Sequence, residues 1–126
     1  MNEIEKILEG NFEILNKKAE EFGKKYAPQN EKEKKIKLST SQIRNILDDV
    51  QRMEEEDVKT GKYLMLRAKL AYVSGKNKES EGLRELKEIF DRLLQNINYD
   101  YKKFEYFRDF FEAIVSYHKF YSKVKD

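Results

Sequence analysis

The sequence contains no cysteine. That absence removes disulfides, thiolate metal sites and cysteine nucleophiles together, and an intracellular, cytoplasmic home is the expectation. One proline and five glycines stand among 126 residues, too few turn-formers for a β-rich fold of this size. Gly10, Gly23, Gly61, Gly75 and Gly82 are never clustered, so no glycine-rich phosphate loop is present. The single histidine, His118, cannot supply the two Glu-x-x-His pairs of a helical di-iron bundle. Nor does a nucleophile-elbow pattern accompany it for a serine triad. No stretch approaches the ~20 apolar residues of a membrane span. The opening Met1-Asn2-Glu3-Ile4-Glu5 lacks the basic-then-apolar order of a signal peptide. The expectation is a protein without catalysis, cofactor, metal or membrane contact.

What the chain has in quantity is charge and aromatic rings. Charged residues reach 40%, against ~25% in an average domain, as fits a thin helical domain with much surface per residue. Eight Phe and eight Tyr supply a ring-rich core. The length predicts one domain over residues 1–126. The net charge of +2 is segregated: residues 59–78 carry six Lys or Arg and no acid, between acidic neighbours. Such a block serves either as a local anion-binding surface or as a solvated face.

Apolar positions follow helical spacing throughout and predict an all-α, compact antiparallel bundle of about five amphipathic helices. The first covers 3–26, with Gly10 and Gly23 as points where it bends or ends. Residues 27–37 are polar and lysine-rich, contain the only proline, and read as a mobile linker. Ser39-Thr40-Ser41-Gln42 is a capping box opening a second helix to about Met53, with Leu38 and Ile43 placed as its hydrophobic staple. The acids from Glu54 to Asp57 mark a turn. A third helix spans about 60–74, with Gly75 as its left-handed cap. The fourth runs over about 80–97 and the fifth over about 101–122.

Binding is where the pattern leads. Lys62, Lys69 and Lys76 recur every seven residues on one face of the third helix, Tyr72 lies between the last two, and Arg67 flanks them. Cations with an interleaved ring suit a nucleic-acid backbone: the charges meet phosphates and the ring stacks on a base or ribose. Arg44 sits in the first turns of the second helix, whose N-terminal amides favour phosphate.

Three stretches together resemble the small subunit of type III-A CRISPR effector complexes, the Csm small subunit. They are Leu38-Ser39-Thr40-Ser41-Gln42-Ile43-Arg44-Asn45-Ile46-Leu47, Leu66-Arg67-Ala68-Lys69-Leu70-Ala71-Tyr72-Val73-Ser74-Gly75-Lys76, and the segment from Phe107 to Tyr121 with its Phe-Glu-Ala and Tyr-x-Lys elements. Lys76 stands where the family pattern has Arg, and His118 where a small residue is common. The resemblance implies a helical bundle without nuclease activity. Several copies would self-associate as a filament beside the repeated backbone subunits and the large subunit. The partners are then guide RNA and target RNA. RNA contact carries over to Arg44, Arg67, Lys69 and Lys76, with Tyr72 and Ser41 as further candidates, and Lys62 and Lys37 complete the set. Lys24, Lys25, Lys34 and Lys35 would add diffuse attraction, whereas Glu112 and Tyr117 would hold the bundle together.

Each candidate also has a structural role open to it: a cap for Ser41, a half-buried ring for Tyr72, an internal ion pair for Arg67. A helical protein–protein adaptor offering its basic face to an acidic partner is the alternative function. A small enzyme working through His118 is a third.

Overall fold

The computed structural model describes residues 3–125; Met1, Asn2 and Asp126, which the sequence places within the single domain, lie outside the described residues. The elements in chain order are α1 Glu3–Lys6, a 3-10 turn Ile7–Glu9, α2 Phe12–Lys25, α3 Glu33–Ile36, α4 Thr40–Gln51, α5 Glu55–Lys59, a second 3-10 turn Lys62–Leu64, α6 Met65–Lys76, α7 Glu81–Gln95 and α8 Tyr101–Tyr121. The described residues contain no strand, so the fold is all-α as expected. α2, α4, α6, α7 and α8 are the five long helices that the periodicity predicts.

Local chemistry explains most boundaries. Asn11, Ser80 and Asp100 each accept a hydrogen bond from the backbone N–H three residues on, closing the N-termini of α2, α7 and α8. Ser39 and Gln42 form the reciprocal capping box, at 3.2 and 3.4 Å, with Leu38 and Ile43 both buried. Three expectations need correction. The first predicted helix breaks at Gly10, one of its two expected bend points, which adopts φ +83° before Asn11 restarts the chain as a new cap, but Gly23 lies inside α2 and does not end it. Glu54 to Asp57 are not merely a turn: after a short break, Glu54 and Asp57 form a capping box and the acids occupy the first turn of α5, where the helix dipole favours them. Gly75 does not cap α6, which runs through it to Lys76.

The core is built around α8, whose Phe104, Phe107, Phe110, Phe111, Ile114, Val115 and His118 are all buried. Phe90 of α7 meets Phe107 and Phe111 edge to face at 4.8 and 4.6 Å, a favourable ring arrangement. The long helices do not simply alternate in direction. α4 runs antiparallel to α8, as the Leu38–His118, Gln51–Glu112 and Met53–Arg108 hydrogen bonds show. α2 and α8 instead run parallel: Phe12 meets the ring of Tyr106, and Glu20 accepts from the Tyr121 hydroxyl at 2.5 Å. The strictly antiparallel bundle expected from short connections fails here because α2 and α8 are not consecutive, so no short turn dictates their relative direction.

Residues 27–37 carry the single turn of α3 and are tied down at several points. Gln29 Nε2 donates to the Tyr121 carbonyl at 3.0 Å, and the Lys123 N–H donates to the Pro28 carbonyl at 3.0 Å. The segment closes where the Leu38 N–H donates to the Tyr26 carbonyl at 3.1 Å.

Two glycines inside helices make opposite predictions. At Gly23 a β-carbon would lie 2.8 Å from the His118 backbone nitrogen and 2.9 Å from the Tyr117 β-carbon, so α2 and α8 touch there through backbone. At Gly75 a β-carbon meets nothing within 4 Å. Gly23→Ala is expected to destabilise by about 1–3 kcal/mol through overpacking. Gly75→Ala should stabilise by up to about 1 kcal/mol through helix propensity. Urea unfolding of the two variants checks both signs.

Candidate nucleic-acid interface

A helix that packs on one side leaves its other side to solvent, and α6 illustrates this. Leu66 and Leu70, with Tyr63 of the preceding 3-10 turn, point into the core, while Lys62 of that turn and Met65, Lys69, Tyr72 and Lys76 of the helix are exposed at three- and four-residue spacing. α4 runs beside this stripe, and a groove lies between the two. One half of the groove, about 230 Å³, is lined by Asp49, Arg52, Met53 and Asp57 opposite Lys62, Met65 and Lys69. The other half, about 170 Å³, is lined by Gln42, Asn45 and Ile46 opposite Lys69, Tyr72, Val73 and Lys76. The start of α4 thus faces the end of α6, so the two helices run antiparallel. Lys69 belongs to both halves and forms an ion pair with Asp49 across the groove.

The structure brings some of the sequence candidates together and separates others. Lys62, Lys69, Tyr72 and Lys76 form one continuous stripe. The Lys76 ammonium stands 5.3 Å from the centre of the Tyr72 ring, within cation–π range. Ser41 and Arg44 lie on the other flank of α4, lining a cavity shared with α8 residues Glu112, Val115 and Ser116. Arg67 turns toward α7, where Nε donates to Asp91 at 3.2 Å and Lys87 shares the same carboxylate at 2.6 Å. Lys37 pairs with Glu33 at 3.2 Å, just before α4.

Charge in the groove is unevenly spent. Asp49 has a side chain only 17% exposed and pairs with both Lys69 and Arg52. Lys62, Lys76 and Arg44 enter no ion pair among the described residues. No local pattern in the sequence marks Asp49, Asn45 or Gln42 as groove walls. The antiparallel crossing of α4 over α6 sets those roles, and no local pattern signals it.

The fold takes the single histidine into the core. His118 is fully buried, and its Nε2 lies 2.8 Å from the Leu38 carbonyl, which can only accept. The ring therefore carries a proton on Nε2 and donates it to backbone. Among the described residues no group of three His, Cys, Asp or Glu is placed to hold a metal ion, and no helix is long and apolar enough to cross a membrane. His118→Ala would leave a buried carbonyl unsatisfied beside a new cavity, at a cost of about 2–4 kcal/mol. Denaturant unfolding reads that destabilisation.

Asp49→Asn releases Lys69 and Arg52 at once. Its stability cost should stay under about 1 kcal/mol, as for other part-exposed pairs. On a heparin column the variant should elute at higher salt than Glu88→Gln, which changes net charge equally on an exposed position of α7. Co-elution of the two would show that Asp49 does not screen the groove.

The chain matches the family model described as Csm2 Type III-A over residues 9–124. No curated protein and no solved structure matches it.

Proposed function

The chain belongs to the Csm2 Type III-A family, and from that membership we propose that it acts as a non-catalytic small subunit that holds RNA through the α6 stripe inside a type III-A CRISPR ribonucleoprotein. The observation that carries the RNA reading is the exposed row Lys62, Lys69, Tyr72 and Lys76 along one groove. Three ammonium groups at helical repeat distance follow a phosphate chain, and the ring between two of them offers a stacking surface. Sequence choice rests with base pairing between guide and target, so contacts from this subunit fall on phosphate and ribose. Several copies stack beside the repeated backbone subunits and the large subunit, and the assembly works in the cytoplasm in antiviral defence. Arg44 and Ser41 contribute from the second flank of α4. Arg67, tied to Asp91, supports α6 against α7 and contributes less to RNA than its neighbours on the stripe.

The test is salt-dependent binding of the free protein to single-stranded RNA. Replacing Lys62, Lys69 and Lys76 together by Ala should weaken binding for every sequence alike. The slope of log affinity against log salt should fall by roughly 0.7 for each phosphate that a lysine no longer neutralises. Arg67→Ala should lower stability more than RNA affinity. If the triple variant keeps both affinity and slope, the stripe is not the RNA face. If larger subunits co-purify with the chain and stay bound after nuclease treatment, with no guide RNA among them, the adaptor reading replaces this one.

A further inference from the structure

The half of the groove between Gln42 and Lys76 is built differently from a phosphate site. Its floor is apolar, from Ile46 and Val73, and one wall is the Tyr72 ring, 66% exposed. A phosphate needs cations and N–H donors and gains nothing from apolar surface. Three carboxamides also line the space. Asn45 makes no side-chain hydrogen bond among the described residues. Gln42 uses its oxygen to accept from the Ser39 N–H at 3.4 Å, leaving its NH2 to donate. Asn77 uses its NH2 to donate to the Val73 carbonyl at 2.9 Å, leaving its oxygen to accept. Donors and acceptors at the edge of an apolar slot with an aromatic wall match a nucleobase, which has a π face and a hydrogen-bonding rim. Lys69 and Lys76 stand at the rim of the slot, where the phosphates on either side of such a base would pass.

We propose that the slot between α4 and α6 receives one unpaired base of an RNA strand, its face on Tyr72 and its edge at Gln42, Asn45 and Asn77. The proposal rests on the RNA reading and deepens it. The backbone contacts fix where the strand lies, and the slot gives one nucleotide a place out of the stack. Donors and acceptors on flexible amides accept several bases, so the slot favours the presence of a base over its identity.

Side-chain and backbone amide NMR of the full chain at low salt tests this with four probes: UMP, AMP, ribose 5-phosphate and a six-residue uridine strand. UMP and AMP should move the amide signals of Asn45, Gln42 and Asn77, and ribose 5-phosphate should not. The strand should bind roughly tenfold or more tighter than UMP, because the lysine contacts tether the base near its slot. Tyr72→Ala and Asn45→Ala, both at exposed positions and so expected to fold normally, should weaken nucleotide binding by about fivefold or more. Neither should change the salt slope of the strand.

Equal shifts from ribose 5-phosphate and UMP would overturn the base slot while leaving phosphate contact by the lysines standing. UMP binding as tightly as the strand would overturn the strand as the source of the base. If no probe moves any α6 signal and the triple lysine variant binds RNA unchanged, the RNA reading falls together with the slot.

Discussion

The dipeptide Lys37–Leu38 holds the arrangement together. Its Leu38 side chain is fully buried, so its backbone groups must find partners inside the protein. They do so from three separate helices. The Leu38 N–H goes to the carbonyl of Tyr26 at the end of α2, and the Leu38 carbonyl takes the His118 Nε2 proton from α8. The Lys37 carbonyl accepts from Ser80, the cap of α7, at 2.7 Å. Gly82 lets α7 close on this point, since a β-carbon there would stand 2.8 Å from the Lys37 oxygen. Buried backbone that is satisfied by elements far apart in sequence fixes their mutual positions, because moving any one strands a polar group at a cost of about 1–3 kcal/mol.

The groove follows from that junction. The chain passes directly from Leu38 into the capping box of α4, so the start of α4 is set against α8 and α7. Gln51–Glu112 and Arg108–Met53 bonds then hold its far end on α8. One flank of α4 thus faces α8, and the other is left to meet α6. Arg67 of α6 bonds to Asp91 of α7, a carboxylate that Lys87 holds from within α7, and so ties α6 to α7 on the opposite side. The exposed stripe of α6 is what remains once both of these attachments are made. His118 therefore serves the groove only as an anchor for the start of α4, since its side chain is buried and faces no part of the stripe.

Much of this is legible in the sequence, and the failures share a cause. The five long helices follow from apolar periodicity, and Ser39 and Gln42 announce α4 because a capping box is a local code. Lys62, Lys69, Tyr72 and Lys76 share a face for the same local reason: helical geometry alone puts them there. What cannot be read locally depends on which helices cross. The parallel run of α2 and α8, the turn of Arg67 toward Asp91, and the pairing of Lys69 with Asp49 each join residues on different helices. The sequence marks His118 as unpromising for catalysis, but its partner is a backbone carbonyl 80 residues away, which no side-chain pattern discloses.

The Asp49–Lys69 pair also bears on how a small subunit with nearly balanced charge would hold RNA. A lysine already paired gains less from a phosphate than a free one, since the carboxylate must be given up in exchange. Under the proposed function each copy would then be a weak binder, since its net charge of +2 adds little long-range attraction. In the proposed stack of copies on one strand, weak contacts would act together, and the second and later copies would bind at high effective concentration. On the proposed function, weak single sites would let the free subunit release unrelated RNA readily, while the assembled row would hold the strand that base pairing selects. Lys62 and Lys76, which enter no ion pair among the described residues, flank the paired Lys69. For the proposed RNA strand the stripe would therefore offer two ready contacts and one that must be exchanged.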